Sequence, residues 1–313
     1  MHVFLLATLD TKGVEAEFVR QRLKTLGVDV TLVDTGCLGT PQVAADITRQ
    51  QVFEAAGTRW EDAVAKNDRG EAVTLASLGA AKLCAAAHAN GQLAGVLGLG
   101  GSAGTTIGTA AMRGLPIGVP KLMVSTLASG QVRPYVQDKD VLMLNSVVDI
   151  AGINRVSRRI LGEAASAMAG MVLHPLPAQS SEKRLVAASM FGVTTPCVQQ
   201  ARQILEEAGY EVLVFHATGN GGLAMESLIA DGLIAGLLDI TTTELADELV
   251  GGVLSAGPQR LTAAGRCGVP QVVSVGALDM VNFGPRDTVP PQFAHRKFHQ
   301  HNATVTLMRT TVD

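Results

Sequence analysis

The sequence is poor in aromatic residues, with eight Phe, two Tyr and one Trp in 313 positions. So few rings leave little from which to build a base-stacking platform. Basic charge is not in excess either: 25 Lys and Arg stand against 28 Asp and Glu, a net charge of −3. Nucleic acid is therefore not expected as a partner. Cysteine is scarce. Cys37, Cys84, Cys197 and Cys267 are scattered and none forms a C-x-x-C pair. This argues against a zinc ribbon or a dithiol redox motif and fits a reducing compartment. No apolar run reaches the roughly 18 residues that a membrane span needs; the nearest is 164–173. The opening Met1-His2-Val3-Phe4-Leu5-Leu6-Ala7 has no basic flank and meets Asp10 at once. It reads as a strand and not as a signal peptide. The expectation is a cytoplasmic protein with no membrane partner.

What is present is apolar mass and glycine. Hydrophobic residues make up 47% and charged residues 17%, enough to bury a core and to exclude disorder for most of the length. A chain of 313 residues carries a prior of two domains. Glycine numbers 34, roughly 11% against a usual ~7%. With no collagen period, the excess points to tight turns or close approaches of backbone to a ligand.

Apolar runs alternate with helical periodicity along the chain. A strand at 3–8, a helix at 14–26 ended by Gly27, and a strand at 28–33 make one right-handed βαβ unit. The pattern returns with a strand at 184–189, a helix at 197–207 ended by Gly209, and a strand at 212–215. Both units close on Thr-Gly, at Thr35-Gly36 and Thr218-Gly219. Downstream, 94–97 matches 235–238, and 118–125 matches 268–275. The expected fold is α/β: two Rossmann-like, doubly wound parallel-sheet domains related by an internal repeat. The first is longer by an insertion at about 37–81. The Pro-rich stretch 175–182 is the linker, giving domains 1–178 and 179–313, and a helix at 154–172 precedes it. Residues 1–174 hold 16 basic and 15 acidic side chains, residues 175–313 hold 9 and 13. An anionic ligand meets less repulsion in the first half. A last strand at 304–309 lies four residues from the chain end. Its sheet is then partly bare, covered by a partner, or part of a longer, truncated domain.

In doubly wound sheets, ligands bind beyond the carboxyl ends of the strands. After the first strand comes Thr8-Leu9-Asp10-Thr11-Lys12-Gly13. Asp10 or Thr11 is placed to cap the next helix, and Lys12 with the free helix N–H groups to meet an anion. After the third comes Gly98-Leu99-Gly100-Gly101-Ser102-Ala103-Gly104-Thr105-Thr106. It lacks the acidic residue about twenty positions on that a dinucleotide fingerprint requires, and no G-K-[ST] occurs anywhere. A phosphate or carboxylate cradle on Gly100, Gly101, Ser102, Gly104 and Thr105 is favoured over plain close packing. Ser125, Ser129 and Gly130, after the fourth strand, are expected to line the same cleft.

The second half offers Thr194 and Thr195, Gly219 and Gly221, Thr242, Thr243 and Glu244, and Asp279 and Asn282 as contacts to a small substrate. Thr241 and Glu244 also fit a capping box. Asp239, Glu244 and Asp247 read as caps and dipole partners before they read as a metal set. Cys197 is expected to be buried filler. His295, His299 and His301 are expected on a polar loop. No catalytic residue and no metal ligand set can be assigned.

Taken in order, the segments Ala-Thr-Leu-Asp-Thr-Lys-Gly from Ala7, Gly-Gly-Ser-Ala-Gly-Thr from Gly100, Ser-Val-Val-Asp-Ile-Ala-Gly-Ile-Asn-Arg from Ser146, Met-Phe-Gly-Val-Thr-Thr-Pro-Cys from Met190, and Gly-Ala-Leu-Asp-Met-Val-Asn-Phe-Gly from Gly276 resemble one family. It is the ATP-binding, largely uncharacterised family named after the tomato mosaic virus resistance protein, whose amino-terminal domain inhibits viral RNA replication. The resemblance covers essentially the whole chain. It implies two Rossmann-like halves, ATP binding and a homodimer; antiviral inhibition is not carried over. The expected function is nucleotide binding, with ATP phosphates held by the glycine-rich turns and Mg²⁺ on their oxygens, hydrolysis left open. Two alternatives stand beside it: a metabolic enzyme acting on a small carboxylate or sugar between the halves, and a non-catalytic oligomeric binding module.

Overall fold

The computed structural model describes residues 1–176 and 183–311. The chain divides into two compact units, 1–177 and 178–313. Most of the expected linker, 177–182, lies outside the described residues.

The first unit runs β1 (His2–Ala7), α1 (Leu9–Thr25), β2 (Val30–Asp34), α2 (Arg49–Ala56), α3 (Trp60–Ala65), α4 (Arg69–Ala89), β3 (Leu93–Gly100), α5 (Ser102–Arg113), β4 (Lys121–Ser125), α6 (Arg133–Val136), β5 (Leu142–Asn145) and α7 (Arg155–Leu173). The sheet is parallel, in the order β2-β1-β3-β4-β5. Both faces are covered, as the apolar run Val3 to Ala7 of β1 demands. Val3, Leu5 and Ala7 pack with α1 and α7; Phe4 and Leu6 pack with α2, α4 and α5. The insertion expected at 37–81 folds as a loop followed by α2, α3 and much of α4. Among the described residues, α4 alone is long and apolar enough to cross a membrane. Its small residues Ala72, Ala76, Ala80 and Cys84 are nevertheless buried in the core. Gly79 packs against the Val52 backbone, where a methyl has no room.

The second unit runs β6 (Leu185–Met190), α8 (Thr195–Glu207), β7 (Glu211–His216), α9 (Asn220–Ala230), β8 (Ile234–Thr241), α10 (Thr243–Val250), α11 (Ala263–Cys267), β9 (Gln271–Gly276), β10 (Met280–Phe283), β11 (Phe298–Asn302) and β12 (Val305–Arg309). Its parallel sheet has the order β7-β6-β8-β9. The closing strand belongs elsewhere. β12 is the centre of an antiparallel sheet, β10-β12-β11, whose apolar side packs on α10 through Val281, Phe283, Met308 and Val250. The expectation that it extends the α/β layer is therefore corrected. His299 and His301 lie on β11 and not on a loop.

Candidate functional site

In the first unit the strand order reverses between β1 and β3. At such a switch point the two flanking connections leave in opposite directions and open a crevice at the carboxyl edge. The turns after β1 and β3 therefore meet the edge side by side, and they differ in what they leave free.

After β1 the helix begins earlier than the sequence implies. α1 starts at Leu9 with Thr8 as its N-cap, and Lys12 (φ −127°, ψ 18°) breaks the helical path inside the first turns. The Thr8 and Thr11 hydroxyls lie 3.0 Å apart. Gln42 then folds over this turn. Its backbone N–H donates to Leu9 O at 2.9 Å and its Nε2 to Asp10 O at 3.1 Å. A Cβ on Gly13 would lie 2.8 Å from Gln42 Cβ. Gly13 is thus a packing glycine, covered by Gln42, while Thr11 stays exposed. Asp10 Oδ1 is buried with no hydrogen-bond partner.

The loop carrying Gln42 is pinned from below. Asp34, at the end of β2, accepts from Arg49 Nε at 2.7 Å, from Leu9 N–H at 3.2 Å and from Gly36 N–H at 2.9 Å. Arg49 in turn donates to the carbonyls of Leu38 and Gly39. Both charges are almost fully buried, so losing either one strands the other. The sequence analysis missed this pair; an acid ending a strand before a long insertion was its only signal.

After β3 the glycines divide by task. A Cβ on Gly98 would lie 2.6 Å from Met123 Sδ, and one on Gly100 2.8 Å from Gly104 Cα. These two let β3, β4 and α5 approach closely, so Gly100 serves packing. Thr105 Oγ1 and Ser125 Oγ hydrogen-bond each other at 2.7 Å and are fully buried. Ser125 Oγ also accepts the Leu127 N–H at 2.9 Å. Their hydroxyls hold the turn after β4 in place. Gly101 is different. It is the N-cap of α5 (φ −82°, ψ −151°), and the nearest atom to a Cβ there is Thr126 Oγ1 at 3.7 Å. Among the described residues, the N–H groups of Ser102, Ala103 and Gly104 have no partner. Ser102, Ser129 and Gly130 are exposed beside that edge. Such a helix start carries partial positive charge and free donors. Val147, just past β5, adopts φ 63° while 69% exposed, a strained conformation for a β-branched residue.

In the second unit the donors at the start of α9 are already used. Gly219 N–H and Gly222 N–H, at the start of α9, both donate to Glu244 Oε1, at 2.7 and 3.1 Å. Glu244 Oε2 accepts from Arg260 Nε at 2.7 Å. Arg260 also holds Asp239 bidentately, at 2.5 and 2.6 Å. Glu226 closes the cluster, accepting the backbone N–H groups of Leu261 and Ala263. Burial pushes the Glu244 carboxyl up from its ordinary 4.5, against the opposite pull of Arg260 and the two glycine N–H groups. Burial opposes the Arg260 cation, yet Asp239 and Glu244 hold its pKa above the ordinary guanidinium value.

The capping-box reading of Thr241 and Glu244 is corrected. Thr242 is the N-cap of α10, and Thr241 bonds Ser189 and Thr194. Gly219 and Gly221 serve packing, a Cβ on Gly221 being driven into the His216 carbonyl. Asp247 is consumed by Leu254 N–H and Asn282. Among the described residues, no three His, Cys, Asp or Glu side chains are grouped to hold a metal. Cys197 is exposed in the first turn of α8, so the expectation of buried filler fails there. Thr195 is half-buried on the same turn. Of the second-unit candidates, Thr243, Asp279 and Asn282 come together on one cavity. Arg260 was missed by the sequence analysis, because nothing near it in the chain marks it.

Residues 1–177 match the N-terminal domain of the Uncharacterised protein family (UPF0261), and residues 183–313 match its C-terminal domain. The chain belongs to the UPF0261 family. This UPF0261 chain is 52% identical over 309 residues to a UPF0261 protein of Clostridium tetani, spanning 99% of this chain and 76% of that one. It is 44% identical over 311 residues to a UPF0261 protein of Mesorhizobium japonicum, spanning 99% and 77%. It is also 44% identical over 330 residues to the ToMV resistance protein Tm-1(GCR237) of Solanum lycopersicum. That match takes 99% of this UPF0261 chain but 44% of the tomato protein's length.

Proposed function

We propose that this protein binds a nucleotide, ATP in the first instance, through the edge of its first unit. The phosphates lie at the start of α5, with Gly101 as the Cβ-free contact and the N–H groups of Ser102, Ala103 and Gly104 as donors. One observation carries the reading: at a strand-order reversal, the long helix α5 begins on a glycine with room beside it for a Cβ and three unfilled N–H groups. Lys12, Thr8 and Thr11 on the neighbouring turn supply a cation and hydroxyls. Among the described residues Lys12 has no ion-pair partner. Ser129 and Gly130 flank the other side. The unpartnered Asp10 Oδ1 supports Mg²⁺ accompanying the phosphates, since a buried carboxylate oxygen without a donor favours a cation. A homodimer belongs to the same proposal. So does descent of the two units from one repeat, which their shared strand order supports.

Isothermal calorimetry with ATP and MgCl₂ tests the reading. Saturable binding to the native chain and its loss in Gly101→Val are expected. A Cβ at Gly101 meets only an ordinary contact, so the variant is expected to fold, with a circular dichroism spectrum like that of the native chain. An absence of heat with the native protein removes the proposal.

A further inference from the structure

The second unit encloses a cavity of about 480 Å³, within the size range of small-molecule sites. Its rear wall is the carboxyl edge of the parallel sheet: Phe191 after β6, His216 ending β7 and Thr243 after β8. Its front wall is the antiparallel sheet, with Met280, Val305 and Leu307 facing inward. Phe191 and His216 meet edge to face, ring centroids 5.4 Å apart at 83°, which fixes an aromatic wall.

The most deeply buried polar side chains on its wall are Thr243 and Asn282, with His216 and His301 toward the exposed side. Asn282 is 2% exposed. Its Nδ2 donates to Asp247 Oδ1 at 3.2 Å, and the same oxygen accepts the Asn282 backbone N–H at 2.9 Å. A carboxylate only accepts, so the amide NH₂ must face Asp247 and the amide oxygen must face away. That oxygen has no partner among the described residues, and Asn282 lines the cavity. An amide oxygen on the cavity wall with no protein donor is free to accept a ligand N–H. Asp279 at the rim is matched by Arg309 at 2.7 Å.

We propose that this cavity binds a neutral, planar nitrogen heterocycle of nucleobase size, with an N–H directed at Asn282 Oδ1 and its ring on the Phe191–His216 wall. Apolar walls disfavour a bare sugar, which has no face to bury against Met280 and Leu307. A carboxylate or phosphate would meet the Asn282 oxygen, an acceptor, and among the described residues no Lys or Arg lines the cavity to balance its charge. The site is independent of the nucleotide reading of the first unit.

The test is calorimetric titration of the full chain with adenine, hypoxanthine and cytosine, with ribose and benzoate as controls. At least one heterocycle saturates, and the controls do not. Leu307→Trp fills the cavity, and Phe191→Leu keeps an apolar wall but removes the ring. Each weakens heterocycle binding by about tenfold or more. Gly101→Val leaves it unchanged. Should Leu307→Trp fail to fold, Phe191→Leu carries the test. The proposal is overturned if no heterocycle saturates, if ribose or benzoate binds as well, or if a folded Phe191→Leu variant binds undiminished. Loss in Gly101→Val alone also overturns it, by placing the heterocycle in the first unit.

Discussion

The turn after β3 and the turn after β7 are both glycine-rich and both feed a helix at the carboxyl edge of a parallel sheet. They are put to opposite uses. At α5 the first N–H groups are unfilled and a Cβ on Gly101 would meet only an ordinary contact with Thr126. At α9 two N–H groups are filled by the chain's own Glu244, and Gly219, Gly221 and Gly222 are pressed against backbone or carboxylate. A helix start attracts an anion in either case. In the second unit the anion is a side chain, neutralised by Arg260. A glycine cluster therefore signals close approach, and what approaches is decided by the neighbouring strands.

The largest effect that breaks this contrast is expected at Arg260. Arg260→Met leaves Asp239, Glu244 and Glu226 buried without their cation. It should destabilise the second unit by about 3–5 kcal/mol, read from urea unfolding followed in that unit. A loss under about 1 kcal/mol would show that these carboxylates are held by their backbone N–H donors alone. Next comes Gly221→Ala, which drives a methyl into the His216 carbonyl and should cost about 1–3 kcal/mol. Gly101→Ala, at the start of α5, loses only the preference for glycine at an N-cap and should cost less than about 1 kcal/mol. Equal losses at the two glycines would erase the distinction between packed and open turns.

A smaller effect separates the cores. Burial pushes the Cys84 thiol from its ordinary 9.0 up to about 12, and burial with help from Asp10 pushes Cys37 to about 11. The folded first unit keeps both protons while the unfolded chain loses them above pH 9. Its stability should fall as pH rises past 9, by on the order of 1 kcal/mol per thiol at pH 10. Cys84→Ala should remove about half of that slope. An unchanged slope would place the alkaline loss elsewhere. Cys197 and Cys267, both exposed, should react with iodoacetamide well before the buried pair.

Much of the layering was legible because it follows from pattern. The run from Val3 to Ala7 is apolar at every position, which only a strand covered on both faces tolerates. The helix over 155–173 shows its apolar stripe and its Asn154 cap, whose side chain accepts from Ser157 N–H. The antiparallel closing sheet was not legible. A short strand reads alike in either sheet type, and only the pairing of Val281 with Met308 and of Phe298 with Met308 fixes its place. The candidate site was half legible. Gly101, Ser102 and Ser129 could be named from their turn. That Gln42 covers Gly13, that Thr105 and Ser125 bond each other, and that Glu244 serves Arg260 depend on contacts across 15 to 30 positions of chain, which spacing does not encode.

By itself the sequence determined the alternation of strand and helix, the two-unit division of the pattern and the presence of glycine where backbones crowd, because each of these is set by local conformation and apolar period. Tertiary structure decided which glycines face open space and which polar groups are already matched. Those properties belong to pairs of residues brought together by the sheet order, and burial sets their energy.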